Sequence, residues 1–158
     1  MNQVEITTMC MLVDGNRVLM INRKKSWPGW AFPGGHQEQN ESIVQCIKRE
    51  MYEETGLNVD KLQYKGTVNI YNPLTKKRLI VSNYIANHYT GILKKDCDEG
   101  DLSWIDINKI TTLSTAEGLE YRLPIFFNEG INDLYIEWDK ASHYTKVEYI
   151  PVRGYTHG

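Results

Sequence analysis

The alternation of apolar and polar positions predicts strands along most of the chain. Apolar runs at residues 8–13 and 18–21 flank Asp14-Gly15-Asn16, a sequence typical of a hairpin turn. Further strand patterns cover the middle and the end of the chain. These are residues 62–71, 78–89 and 101–105, and a closing hairpin of residues 134–138 and 146–152.

Two segments have helical periodicity instead. Asn40 is a candidate N-cap for a first helix over residues 41–55, with Glu41 in its first turn and Gly56 as its stop. Residues 116–128 predict a second helix, with Leu119 on its apolar face. Strands and helices in this order predict an α/β or α+β fold, in which a curved mixed sheet carries helices packed on it.

The first helix places acidic side chains where its own pattern predicts a core. At about 100° per residue, its apolar positions form one arc. They are Ile43, Val44, Cys46, Ile47 and Met51. Glu50 and Glu54 fall inside this arc, and Glu53 lies at its edge beside Arg49. Unpaired carboxylates near a core are costly, so we expect a cation to join them, and carboxylate oxygens suit Mg²⁺ or Mn²⁺. The alternative is that this end of the helix protrudes and its acids are solvated.

Composition limits the class of protein. The 158 residues correspond to one domain, expected over residues 1–153, followed by a loose tail at 154–158. The net charge of −2 argues against a partner such as duplex nucleic acid. Residues 1–8 lack the pattern of a signal peptide, and the apolar runs are shorter than the ~18 residues that span a membrane. Three cysteines without a Cys-x-x-Cys motif indicate a reducing, cytoplasmic location.

One spacing is highly specific. Gly35, five residues, Glu41 and seven further residues lead into Arg49-Glu50-Met51-Tyr52-Glu53-Glu54-Thr55-Gly56-Leu57. This resembles the Nudix box, Gly-x5-Glu-x7-Arg-Glu-U-x-Glu-Glu-x-Gly-U, in which U is bulky and apolar, and every fixed position matches. The order of strands and helices elsewhere is similar to that of a single Nudix domain over nearly the whole chain.

The resemblance implies an Mg²⁺-dependent hydrolase, with Mn²⁺ as a substitute, that cleaves a nucleoside diphosphate linked to another group. It assigns metal binding to five groups. They are Glu50, Glu53, Glu54, Glu99 from a later loop, and the Gly35 carbonyl. Arg49 would orient the glutamates, and Glu41 would brace the loop or simply cap the helix. A carboxylate would take the proton of the attacking water. Glu53 is the first candidate for this base, and Glu99 is the second.

Residues 27–36 and the segment around Glu99 resemble MutT-type 8-oxo-dGTP diphosphatases of Gram-positive bacteria. This implies an oxidised or normal purine triphosphate as substrate, with monophosphate and pyrophosphate as products. Five residues are candidates for binding it. Arg23 is similar to a phosphate-contacting arginine, Trp30, Phe32 and Tyr71 are candidate walls for the base, and Glu117 is a candidate for the base edge. Each of the aromatic residues has a core position as its alternative.

Two alternatives stay open. Pro73 lies 16 residues after Leu57, a spacing associated with ADP-ribose pyrophosphatases, although a plain turn also explains it. The second alternative is a Nudix-fold module that binds a nucleotide without cleaving it. Such modules typically lack some of the box carboxylates, whereas all of them are present in this sequence. The pattern leaves open whether the protein is a monomer or a homodimer.

Overall fold

The main feature of the fold is a large mixed sheet. A computed structural model describes residues 3–151, so the predicted tail at 154–158 and the predicted strand end at Val152 lie outside the described residues. The strands are β1 Gln3–Asp14, β2 Arg17–Arg23, β3 Gly29–Ala31, β4 Gly34–His36, β5 Leu57–Asp60, β6 Gln63–Tyr71, β7 Lys77–Ala86, β8 His88–Gly91, β9 Asp96–Cys97, β10 Gly100–Asp106, β11 Asp133–Asp139 and β12 His143–Tyr149. The helices are α1 Ile43–Thr55, α2 Leu119–Phe127 and a 3-10 helix at Ile107–Thr112.

The strand order makes the sheet mixed. It runs β12-β11-β6-β7-β1-β2-β10-β9, with β3 paired to β2 and β4 paired to β1, while β5 and β8 form a separate pair. The β1–β7 and β6–β11 pairs are parallel, and the other pairs are antiparallel. The predicted hairpin is confirmed, since Val13 pairs with Val18 and Asp14 with Arg17 across a two-residue turn.

The two helices pack on opposite faces of the sheet. Cys10 of β1 lies in one core cluster with Ile47 and Met51 of α1. The next residue, Met11, lies in a second cluster with Phe126 of α2. Successive side chains of a strand point to opposite faces, so β1 is covered on both sides. The predicted sheet sandwiched by helices is therefore confirmed, and burial of each large apolar side chain contributes about 1.5–3 kcal/mol.

The start of α1 differs from the prediction. Ser42, and not Asn40, is the N-cap: its side chain accepts a hydrogen bond from the Gln45 amide, and the Gln45 side chain accepts one from the Ser42 amide. This reciprocal pair satisfies two amides that the first turn leaves free. Glu41 consequently lies before the helix. The predicted stop is confirmed, because Gly56 has φ +81°, a left-handed conformation.

Other corrections concern element boundaries and exposure. The second helix begins at Leu119 rather than at residue 116, since Gly118 has φ +88°, and Glu117 therefore precedes the helix. Val44, predicted to face the core, is 41% exposed. The short elements β3, β4, β5 and β9 and the 3-10 helix were not predicted, because two to six residues carry too little periodicity to be recognised.

We expect Ser42→Ala to destabilise the protein by about 1 kcal/mol, because it removes the side-chain acceptor of the capping box. Asn40→Ala is the matched control and is expected to change stability by less than about 0.5 kcal/mol. Urea denaturation of both variants checks this. Equal losses in the two variants would contradict the assignment of Ser42 as the cap.

Candidate active site

The site begins where β4 meets the C-terminal half of α1. The Glu50 carboxylate lies directly against Gly35, since a Cβ placed on this glycine would be 2.3 Å from Glu50 Cδ. Glu54 is 6% exposed, and its Oε2 accepts a hydrogen bond from the Gly34 amide at 3.3 Å. The glycines of β4 therefore let the strand approach two box glutamates closely.

Arg49 holds the acidic side chains of this segment in place. Its Nε and Nη2 donate to the two carboxylate oxygens of Glu41 at 2.9 and 2.7 Å. Its Nη1 donates to Glu50 at 2.9 Å and to Glu53 at 3.1 Å, and Nη2 also donates to the His36 carbonyl. The guanidinium lowers the pKa of Glu41 to about 2. Arg49 thus contacts three box glutamates at once, which is the geometry that an orienting role requires.

Glu50, Glu54 and Glu99 form a cluster of acids in which, among residues 3–151, only Glu50 has a salt bridge, to Arg49. Burial, followed by the charges of Glu99 and Glu50, raises the pKa of Glu54 to about 9. Burial also raises the pKa of Glu50, although Arg49 opposes the shift. The Oε2 atom of Glu99 is buried and has no hydrogen-bond partner among residues 3–151. A cation bound between these three side chains would therefore be electrostatically favourable.

The donor set fits a hard divalent cation. In the described part of the chain, no three His, Cys, Asp or Glu side chains are already gathered into a ready metal cage. The buried oxygen of Glu99 and the raised pKa of Glu54 nevertheless fit a cation that draws these carboxylates together. Donors that are all oxygen suit Mg²⁺ or Mn²⁺ rather than Zn²⁺. We therefore take Glu50, Glu54 and Glu99 as the residues that can hold the metal.

Two other predicted ligands are placed less favourably. The Glu53 side chain is 57% exposed and forms a hydrogen bond with Arg49. The Gly35 carbonyl accepts hydrogen bonds from the hydroxyls of Thr7 and Thr8 at 2.8 and 3.2 Å. A metal bond from this carbonyl would require one of those bonds to break. Metal binding by Glu53 and by Gly35 stays a prediction.

A cavity of about 300 Å³ adjoins the acids and extends between the sheet and α2. Glu99, Gly34 and Gly35 line one part of it. About half of the remaining lining is apolar or aromatic. It includes Met9, Trp27, Phe32, Leu79, Val81 and Leu119. A group bound at the acids can therefore extend into a partly apolar space of ligand size.

The structure brings together only some of the predicted substrate residues. Arg23 and Glu117 line the cavity, which is consistent with their predicted contacts. Phe32 also borders it, but the side chain is fully buried and packs edge-on against Phe126, so it offers no free face for stacking. Trp30 and Tyr71 do not border the cavity, and their role as base walls stays a prediction.

Their environments in the fold explain why Trp30 and Tyr71 lie outside the cavity. Trp30 packs against the core cluster on the α2 side of the sheet. The Tyr71 ring lies 5.0 Å from the Arg78 guanidinium carbon, outside the cavity. Both residues belong to strands. The face of the sheet to which each side chain points depends on how the strands pair, and the sequence around a single residue does not reveal this pairing.

Trp27 is the aromatic residue that sequence reasoning missed. It lies in the loop between β2 and β3, is 39% exposed, and lines the cavity. Its ring centroid is 5.1 Å from that of Trp138. Its backbone has φ +53°, which is rare for a bulky residue and is typically found where a functional site constrains the chain. Its position just after Arg23, in a Gly- and Pro-rich loop, was the available signal.

Comparison with known proteins identifies the family. Residues 4–124 match the sequence profile described as the NUDIX domain. The chain belongs to the Nudix family. As a Nudix hydrolase it is an enzyme whose homologues act on nucleoside phosphoanhydrides, and Nudix hydrolases generally need a divalent metal ion.

Two curated relatives cover most of this Nudix chain. The Nudix hydrolase YvcI of Bacillus subtilis is 30% identical over 125 residues, which are 75% of this chain and 76% of the relative. The oxidized purine nucleoside triphosphate hydrolase of Danio rerio is 31% identical over 108 residues, 67% of this chain and 69% of the relative.

Solved structures agree with the fold and the MutT-like type. The mutator MutT protein of Bacillus halodurans superposes with a TM-score of 0.79 at 25% identity, covering 91% of this chain and 96% of that one. The NUDIX domain of Shewanella oneidensis NrtR, solved with ADP ribose, has a TM-score of 0.63 at 15% identity, covering 80% and 87%, and supports the fold alone. No helix within residues 3–151 is long and apolar enough to cross a membrane.

Proposed function

We propose that this Nudix hydrolase cleaves purine nucleoside triphosphates of the dGTP and 8-oxo-dGTP type to the monophosphate and pyrophosphate, with Mg²⁺ as its metal. The observation that carries the proposal is the position of the acid cluster of Glu50, Glu54 and Glu99 beside a cavity with an exposed aromatic ring. The similarity to the oxidized purine nucleoside triphosphate hydrolase of Danio rerio supports this substrate class.

The acidic residues and two arginines have separate roles at the phosphate end of the site. Glu50, Glu54 and Glu99 would hold the metal, and Arg49 keeps Glu50 in position through its 2.9 Å hydrogen bond. The metal, when bound, neutralises phosphate oxygens and lowers the pKa of the attacking water. Arg23 lines the same cavity and contributes positive charge toward the phosphates.

Glu99 is the better placed of the two candidate bases. It borders the cavity, and one of its oxygens lacks a hydrogen-bond partner in the described part of the chain. Glu53 is largely exposed and already pairs with Arg49. A general base must be within reach of the proton that it removes, so the geometry favours Glu99 over the first choice made from sequence.

Two other residues of the cavity lining suit a purine. Trp27 offers an aromatic face, and stacking on such a face is worth about 1–3 kcal/mol per base. Glu117 also borders the cavity, with Oε1 held by Trp138 Nε1 at 3.3 Å and by His143 Nδ1 at 2.8 Å. With Oε1 held in this way, Oε2 is the oxygen that accepts hydrogen bonds from purine N–H groups.

A substrate panel tests the proposal. We expect kcat/KM with Mg²⁺ to be highest for guanine triphosphates, normal or oxidised, with pyrophosphate as the second product. Preference for ADP-ribose with release of AMP would overturn it. That outcome has little support from Pro73, since its loop is an ordinary turn in which the Asn72 side chain accepts hydrogen bonds from the Leu74 and Thr75 amides. Binding of nucleotides without any turnover would indicate a sensor.

A further inference from the structure

The cavity contains a charged group that the reaction does not use. Arg122 of α2 lines the cavity, and its Nε is buried without a hydrogen-bond partner among residues 3–151. Burial and the nearby charge of Arg23 both lower the pKa of Arg122. A buried guanidinium N–H without an acceptor is unfavourable, so a ligand that supplies an acceptor at this position gains affinity from it.

The position of Arg122 indicates which part of a nucleotide it meets. The phosphates belong to the acid cluster, which is formed by α1 and the loop before β10. Arg122 instead belongs to the helix on the other face of the sheet, where Met9, Leu119 and Trp27 supply apolar and aromatic lining. Arg23 already supplies positive charge toward the phosphates, and the apolar and aromatic part of the lining suits a base.

Arg122 and Glu117 together present a donor and an acceptor to the same space, since both line the cavity. Guanine has two acceptors, N7 and O6, followed along its edge by two donors, N1–H and the 2-amino group. Arginine pairs with N7 and O6 through two hydrogen bonds, and a carboxylate accepts from N–H groups. Adenine has a donor where guanine has O6, and 8-oxoguanine has a proton on N7.

We propose that Arg122 is a specificity-determining residue that donates hydrogen bonds to N7 and O6 of an unmodified guanine base, while Glu117 accepts from its N1–H and 2-amino groups. This inference rests on the proposed function and narrows its substrate class. It predicts that dGTP is a better substrate than dATP and also better than 8-oxo-dGTP, because each of these bases places an N–H opposite the guanidinium.

The test combines a change in the substrate base with a substitution of Arg122 and compares kcat/KM in all four combinations. In 7-deaza-dGTP, a C–H group replaces N7 and removes one acceptor. For the wild-type enzyme we expect kcat/KM for 7-deaza-dGTP to be about tenfold below that for dGTP. In Arg122→Gln the difference is expected to shrink to about twofold, whereas the control Arg78→Gln, on β7 and outside the cavity, retains the full difference. Thermal unfolding of both variants monitors the fold.

Two results overturn the inference. One is equal turnover of dGTP and 7-deaza-dGTP by the wild-type enzyme, a comparison that needs no variant and stands even if Arg122→Gln fails to fold. The other is a loss in Arg122→Gln that is equal for dGTP, 7-deaza-dGTP and dATP, which would assign Arg122 to the fold or to the phosphates.

A binding measurement separates this inference from the proposed function. Calorimetry without metal compares the affinities of the wild-type protein and of Arg122→Gln for dGMP and 7-deaza-dGMP. Hydrolysis of triphosphates without discrimination at N7 leaves the function standing and removes the role of Arg122. Failure to hydrolyse any triphosphate, together with tighter binding of dGMP that depends on Arg122, removes the function and keeps the guanine site.

Discussion

Glu54→Gln is expected to lower kcat with Mg²⁺ by about a thousandfold, because a metal ligand contributes several kcal/mol of transition-state stabilisation and each 1.4 kcal/mol is a factor of ten. Glutamine retains the shape of the side chain and an acceptor for the Gly34 amide, so the fold is expected to persist. Steady-state kinetics on dGTP measures the loss. The control is Glu53→Gln, an exposed neighbour on the same helix, for which we expect a smaller effect.

The same substitution is expected to stabilise the metal-free protein at alkaline pH. The pKa of Glu54 rises from 4.5 to about 9 in the fold, so below pH 4.5 the carboxyl is protonated in both states and carries no penalty. Between pH 4.5 and about 9 the folded state binds the extra proton, and stability falls by up to about 1.4 kcal/mol per pH unit. Glutamine does not titrate, so the variant lacks this loss.

Urea denaturation in a chelator at pH 5.5 and pH 8.5 measures the difference. Wild-type turnover in Glu54→Gln would contradict the role of Glu54 as a metal ligand. Parallel pH dependence of the two proteins would contradict the raised pKa of Glu54.

Arg49→Lys is expected to reduce kcat by about 100-fold, although it preserves the charge. The Arg49 guanidinium binds both oxygens of Glu41 while it also donates to Glu50 and Glu53. A lysine ammonium is a point donor that cannot reproduce this fork, and groups that orient metal ligands typically contribute about 10–100-fold to activity or metal affinity. We also expect a lower unfolding temperature, because Glu41 and Glu50 lose a partner.

Arg17→Lys is the matched control for this prediction, since Arg17 forms a single exposed ion pair with Asp14 at 3.3 Å. Activity and unfolding temperature measured on both variants separate the loss of the fork from a general effect of the substitution. If Arg49→Lys is as active as Arg17→Lys, Arg49 does not position the glutamates.

The fold was predictable where the signal is local. The hairpin at Asp14-Gly15-Asn16 and the helix stop at Gly56 depend on a few adjacent residues, and both are confirmed. The N-cap was mistaken because Asn40 and Ser42 both have cap chemistry. Gln45, three residues after Ser42, was the visible signal, since it completes the capping box.

The acids of the site were also predictable, because their helical spacing placed Glu54 in the core arc and the structure buries it. The cavity was not. Trp27 and Arg122 come from a loop and from a helix on the far face of the sheet, and only docking of these elements brings them together. Trp27 and Trp30 are both tryptophans in the same short segment, and the sequence pattern does not reveal which of the two rings faces a cavity.

The most direct test of the account is the position of the metal. A crystal of the protein soaked in Mn²⁺, with diffraction collected at the manganese absorption edge, gives an anomalous difference map. We predict a peak about 2 Å from carboxylate oxygens of Glu50 and Glu54, with Glu99 turned toward it. A peak that avoids these side chains, or no peak with nucleotide and Mn²⁺ both present, would contradict the account.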